Sequence, residues 1–332
     1  MKVAFLSFLF KGLPELVSLY SILQQEKNWA KRTVLTIQHA QNIQLPKVAV
    51  HKITSRYAIF HAIIAQPFIR LHHPKITDTE KERLLHFFIC ATLFDDFFDN
   101  PGYTLPQLER ILLQPEACTP QHDLESLFIA FNKRLSTYAI LKPGYLNVKK
   151  SVYYAQVDSL KQMQPTITDE DLKEITYRKG GSSVLLSRYY LDVPSNAEEE
   201  QCWYQLGALI QLGNDIFDLF KDLQEGINTL ANRSRSIHAL KQELNIQVKT
   251  YHEALSRLNG ATGVLRQIRF RTAIIYALSY TAIDQLQSLE KGNAVLDFKS
   301  MNRKSLIVDM EKWSNRWRML KYMYGYSGSQ LV

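Results

Sequence analysis

The chain has 332 residues, 46% of them hydrophobic and 22% charged, with only 13 Gly and 11 Pro. So little glycine and proline amid so much apolar sequence excludes long disordered segments. A formal charge of +8, from 40 Lys and Arg against 32 Asp and Glu, suits an anionic ligand, a nucleic acid or a membrane surface and carries no information on fold. The basic residues are interleaved with acids and no recognition motif accompanies them, which argues against nucleic acid. Cys90, Cys118 and Cys202 lack CxxC spacing, so neither a disulfide framework nor a zinc site follows and a reducing compartment is expected. No stretch approaches the ~20 apolar residues of a spanning helix. The expectation is a cytoplasmic protein without stable membrane insertion.

In chain order, residues 1–28 read as one or two short helices broken near Pro14, with the apolar run Val3 to Phe10 buried rather than exported. Residues 29–49 read as mixed, with Pro46 as a breaker, and the whole of 1–49 packs on a single domain of 1–332. Residues 50–70 carry apolar side chains at three- and four-residue steps, an amphipathic helix, and end in a surface turn at His72-His73. Thr77-Asp78-Thr79-Glu80 is a capping box. It opens a helix that is apolar on almost every face and that stops at Asn100-Pro101-Gly102. Helices are expected over 106–113, 123–141, 146–163 and from 169. The last of these meets Arg178-Lys179-Gly180-Gly181, read as a deliberate break that exposes backbone, or as a close helix crossing. One long helix is expected over 197–225, and three more over 233–257, 263–289 and 301–324, the last two separated at Lys291-Gly292-Asn293. No strand pattern of convincing length occurs, so the fold class is all-α.

Two clusters carry the chemistry. Asp95, Asp96 and Asp99 stand among Phe94, Phe97 and Phe98, at the C-terminal end of their helix where its dipole disfavours carboxylates. Acids buried among phenylalanines need a compensating cation. Asn214, Asp218 and Asp222 recur every four residues on one face of the 197–225 helix. Hard oxygen donors of this kind suit Mg²⁺, which keeps waters and bridges to phosphate. A diphosphate is the natural missing ligand, with an apolar tail in an aromatic cavity drawn from Phe87, Phe88, Phe94, Tyr153, Tyr154, Tyr189 and Trp203.

At these residues the sequence resembles the class I terpene synthases of the isoprenoid synthase superfamily. Asp95-Asp96-Phe97-Phe98-Asp99 matches the DDxxD motif. Asn214, Asp218 and Asp222, about 120 residues on, are similar to the Asn…Ser/Thr…Glu metal triad, with Asp in the last two places. The second cluster is also similar to the aspartate-rich motif of chain-elongating prenyl synthases, and the four-residue spacing to squalene- and phytoene-type head-to-head synthases. The Gly-Lys-Arg acceptor element of the chain-elongating enzymes is absent upstream of Asp95.

The resemblance implies an α-helical barrel around an apolar pocket. It implies about three Mg²⁺ ions, with Mn²⁺ as a substitute, on Asp95, Asp96, Asp99, Asn214, Asp218 and Asp222. The substrate implied is a linear prenyl diphosphate (farnesyl, geranylgeranyl or longer), ionised by departure of diphosphate. Arg178 is similar to the family's diphosphate sensor and Gly181, or Ser182, to its effector position. Lys179, Lys221, Arg318, Lys321 and Tyr322 are the further substrate contacts implied, with Lys321-Tyr322 in the place of a terminal Arg-Tyr pair. A homodimer is compatible with the resemblance. The alternatives are a prenyl-coupling enzyme and a non-catalytic isoprenoid-binding protein.

Overall fold

The computed structural model describes residues 2–234, 236–289 and 298–327, with side chains described over 12–325 of these. Every regular element among the described residues is helical. The burial expected for Val3 to Phe10 and the break expected at Lys291-Gly292-Asn293 lie outside the described side chains and residues. By packing, the chain falls into two compact units. One comprises Leu9–Tyr153 and Leu186–Ser195; the other comprises Met1–Phe8, Tyr154–Leu185 and Asn196–Val332.

The first elements are α1 (Lys2–Gln41), α2 (Lys47–Phe60), α3 (Gln66–Ile69), α4 (Asp78–Phe98), α5 (Leu105–Leu113), α6 (Asp123–Ala139) and α7 (Tyr145–Ser159). The break expected near Pro14 and the mixed segment after residue 29 are corrected, because α1 runs as one helix through both. An interior proline costs about 3 kcal/mol. Here Leu19, Ala30 and Val34 are buried, so one face of the later turns is anchored by packing that local propensity does not register. Between α2 and α3 the helix continues through a π turn, His61–Ala65, all five residues buried. The turn expected at His72-His73 forms, with His73 Nδ1 2.7 Å from the Lys75 carbonyl.

In this unit α4 packs against α2 and α6. Its capping box is present as expected, with Glu80 N–H donating to Thr77 Oγ1 and Thr77 N–H donating to Glu80 Oε2. Glu80 is fully buried, and its second oxygen accepts from Asp192 N–H at 2.8 Å. Asp192 in turn meets Arg83 at 2.6 Å and accepts from the Tyr138 hydroxyl. A local cap thus becomes a tertiary anchor between α4 and the segment Leu186–Ser195.

The remaining elements are α8 (Asp169–Arg188), α9 (Ala197–Phe217), α10 (Leu219–Glu225), α11 (Leu230–Arg233), α12 (Ile237–Ser256), α13 (Thr262–Gln287), α14 (Arg303–Leu306) and α15 (Trp313–Ser327). In the second unit α9 packs against α12 and α13, and α13 against α15. The break expected at Gly180-Gly181 does not form: α8 passes through both glycines. They serve the other reading, a close crossing. A Cβ on Gly180 would lie 2.2 Å from the Gly207 carbonyl oxygen, and one on Gly207 2.3 Å from that of Gly180. The two backbones touch where both chains lack a side chain. The helix expected over 197–225 is interrupted at Asp218, and α10 ends at Gly226, whose φ of 70° is the left-handed cap that glycine favours. The helix expected over 301–324 is likewise two helices, α14 and α15, separated at 307–312.

Candidate metal and diphosphate site

The first acidic cluster lies in the unit of Leu9–Tyr153. Phe94 and Phe97 are 6% and 4% exposed. They seat α4 against α6 through Phe128, with ring centroids 5.8 and 5.7 Å apart, and Phe97 also stacks on Tyr103 at 5.0 Å. Helical periodicity then turns the intervening residues the other way. Asp96 and Asp99 are exposed and Asp95 half-exposed, so these carboxylates are hydrated. The expectation that they are desolvated is corrected. Their position late in α4 stands, with Asp99 as its C-cap. Asp95 meets Arg56 of α2 at 3.5 Å, a cation that the sequence reading missed. No spacing rule links residues 56 and 95; only the packing of α2 on α4 brings them together.

The second cluster lies in the other unit. Asn214 and Asp218 are exposed, while Asp222 is only 8% exposed. Although Asp218 interrupts the helix, Asp218 N–H donates to the Asn214 carbonyl and Asp222 N–H to the Asp218 carbonyl, at 2.8 and 2.9 Å. The four-residue register across the three positions is therefore kept. Among the described residues no hydrogen bond or ion pair engages the Asp222 carboxylate. Burial, and then the charges of Asp215 and Asp218, push it up to about 7.

Asp215, next to Asn214 in sequence, has a different task. It is 5% exposed and accepts from Thr176 Oγ1 at 3.0 Å and from Gln211 at 2.9 Å. It ties α8 to α9 at the glycine crossing. Burial holds its carboxyl up at about 6, opposed by those two donors and by the Lys179 cation.

The expected anion contacts are distributed unevenly. Arg178 is paired with Asp158 and lies 3.5 Å from Glu174. Its Nε is buried with no hydrogen-bond partner. Asp158 also holds Lys161 at 2.7 Å, and was not anticipated. Lys221 is exposed, 3.8 Å from Glu225 one turn on. The Tyr322 hydroxyl donates to Asp284, 2.8 Å from each carboxylate oxygen, and its ring stacks on Tyr280 at 4.8 Å. Arg318 and Lys321 are exposed on α15. Gly181 sits inside α8 with its α-carbon facing the Tyr204 ring, which a Cβ would approach to 2.6 Å. It is a packing residue rather than an opening in the backbone. Of the aromatic residues expected to line a cavity, Phe87 and Phe88 are partly exposed and Tyr154 is 48% exposed. Phe94, Tyr153, Tyr189 and Trp203 are buried. The Tyr153 hydroxyl donates to the Leu105 carbonyl at 2.8 Å and Trp203 Nε1–H to Glu199 at 3.3 Å.

The donor set fits a hard divalent ion. Asn214, Asp218 and Asp222 offer an amide oxygen and two carboxylates, the chemistry of Mg²⁺ or Mn²⁺. Among the described residues no three His, Cys, Asp or Glu side chains converge into a ready metal cage. No family model matches the chain, and no curated protein matches it.

Proposed function

We propose that the protein is a class I terpene synthase, which ionises a linear prenyl diphosphate by Mg²⁺-assisted departure of diphosphate and converts the resulting carbocation to a terpene. The observation that carries this is Asp222: a buried carboxylate that among the described residues has no hydrogen bond or ion pair and only the through-space charge of exposed Lys221 in its favour, one turn from an exposed carboxylate and two turns from an amide. A folded chain keeps such a group when a cation completes it. Asp215 supports the same layout. Its commitment to α8 leaves positions 214, 218 and 222 as the donor face, the spacing of the triad, rather than two consecutive acids. The barrel and apolar pocket of the family belong to this proposal.

On this reading Asp95 with Asp96 and Asp99, and Asn214, Asp218 and Asp222, hold the metal ions. Bound Mg²⁺ supplies Lewis-acid neutralisation of the departing diphosphate. Arg178 exchanges its carboxylate partners for phosphate oxygens, with the unpartnered Nε as a spare donor. Lys179 and Lys221 add positive charge where the leaving group develops negative charge. The partly exposed rings of Phe87 and Phe88 offer π faces to a carbocation.

The test is incubation of the purified protein with farnesyl, geranylgeranyl and longer prenyl diphosphates plus Mg²⁺, with diphosphate release and mass spectrometry of the extract as readouts. Release is expected from one prenyl diphosphate alone, and Asp95→Ala and Asn214→Ala should each abolish it. Turnover that persists in EDTA overturns the metal mechanism. Product formed only when isopentenyl diphosphate is added assigns a prenyl-coupling enzyme, and lipid retained without diphosphate release assigns a carrier.

A further inference from the structure

The C-terminal helix presents an outer face that the diphosphate chemistry does not use. On its inner side α15 packs on α13, with Asn315 and Met323 buried and Tyr322 locked onto Tyr280 and Asp284. The positions opposite point outward. Trp313 is 76% exposed and Trp317 is 48% exposed. These are two of the chain's four tryptophans, one turn apart, and Lys321 follows one turn later. An exposed indole is unusual, because tryptophan buries more apolar area than almost any other side chain.

The surroundings of these rings are strongly basic. Between residues 298 and 322 there are seven Lys or Arg against two Asp or Glu, a net +5 in a chain whose net charge is +8. Helix α15 itself contains no acid. Lys312, Arg316, Arg318 and Lys321 are exposed. The Arg316 guanidinium lies over the Trp313 ring, 5.6 Å from its centroid, and its Nε–H donates to the Met310 carbonyl at 3.0 Å. Indoles flanked by cations, on a helix whose other side is buried in its own unit, match a boundary that is apolar on one side and anionic on the other. Tryptophan concentrates at that depth in bilayers, and a basic helix with apolar anchors lies in its plane.

We propose that the outer face of α15 docks on an anionic lipid bilayer, with Trp313 and Trp317 at the level of the headgroups and Arg316, Arg318 and Lys321 on lipid phosphates. Charge complementarity selects this occupant. A nucleic acid would also meet the cations, but it would need open indole faces for base stacking, and Arg316 covers one face of Trp313. No helix among the described residues is long and apolar enough to cross a membrane, so the association is peripheral. The resemblance allotted Arg318 and Lys321 to a diphosphate; their exposure beside the two indoles allots them to lipid phosphate instead. The inference does not depend on the terpene synthase reading.

Co-sedimentation of the full chain with phosphatidylcholine vesicles, with and without a one-third share of phosphatidylglycerol, tests it. Binding is expected to the anionic vesicles and to weaken as salt is raised. Trp313→Ala with Trp317→Ala should lower the partition on the order of ten-fold, with unchanged circular dichroism and melting because both rings are exposed. Arg318→Gln and Lys321→Gln should each lower it about five-fold. The proposal is overturned if the chain ignores anionic vesicles, or if the double tryptophan variant binds them as the wild type does. It is equally overturned if a mixed-sequence oligonucleotide is bound through the same residues while vesicles are not.

Discussion

Replacement of Gly180 by alanine tests how α8 is held on α9. The new Cβ would stand 2.2 Å from the Gly207 carbonyl oxygen and 2.6 Å from Gln211 Cβ, where a carbon–oxygen contact needs about 3.3 Å. Neither obstacle is the mobile end of a side chain, so the helices must part by about 1 Å at the crossing. Overpacking of this kind costs about 1–3 kcal/mol. Separation also pulls Thr176 from Asp215, bonded at 3.0 Å, which adds about 1–3 kcal/mol for a buried acceptor left short of a donor. Better helix propensity of alanine returns about 1 kcal/mol. A net loss of about 1–5 kcal/mol follows, read as a lower urea midpoint by circular dichroism. Gly181→Ala meets a tyrosine ring that can turn, and should lose less. Gly263→Ala meets nothing within 4 Å and should be neutral or slightly stabilising. A Gly180→Ala protein as stable as wild type refutes the crossing argument. If both glycine variants keep full stability and lose activity equally, the pair opens the backbone after all.

Two further outcomes concern charge. His86, stacked on Phe131 at 4.0 Å, and His252, 3.2 Å from the Tyr276 hydroxyl, are each lowered to about 4, chiefly by burial and then by Arg134 and Arg269 respectively. At these two histidines the unfolded chain therefore binds more protons than the folded one between pH 6.5 and 4. Their contribution is complete above about 6.5 and is lost as pH drops towards 4, on the order of 3 kcal/mol for each histidine. It is opposed over the same window by Asp215 and Asp222, whose raised carboxyls favour the folded state as they take up protons. Melting curves of wild type and His86→Phe across that window should diverge, the variant losing less stability than wild type as pH falls from 6.5 to 4; a difference between the two that does not change with pH rules His86 out as a contributor. Asp222→Asn should leave the metal-free protein at least as stable as wild type above pH 7, because it removes an ionised carboxylate from a buried place beside Asp215 and Asp218. The same variant should lose any rise in melting temperature that Mg²⁺ gives the wild type. A variant that melts lower without metal would show that the Asp222 carboxylate is structural.

The four-residue register of Asn214, Asp218 and Asp222 was legible because helical spacing is a local property, and backbone hydrogen bonds keep it even through the irregularity at Asp218; that these residues hold a metal belongs to the proposal. The capping box at Thr77 and Glu80 was legible for the same reason: its partners lie within one turn. The desolvation of Asp95, Asp96 and Asp99 was misread. The identity of neighbours in sequence does not tell which of them turn inward, and Phe94 and Phe97 take the buried side while the acids take the wet one.

Sequence by itself determined the all-α class and most helix positions, since these rest on local periodicity. Tertiary structure decided what each polar group is engaged with. It carried α1 through Pro14, made Gly180 and Gly207 a contact between backbones, turned Asp215 onto Thr176, and placed Asp158 on Arg178 and Arg56 on Asp95. Each of those partners is remote in sequence, and no spacing rule reaches across the packing that brings them together.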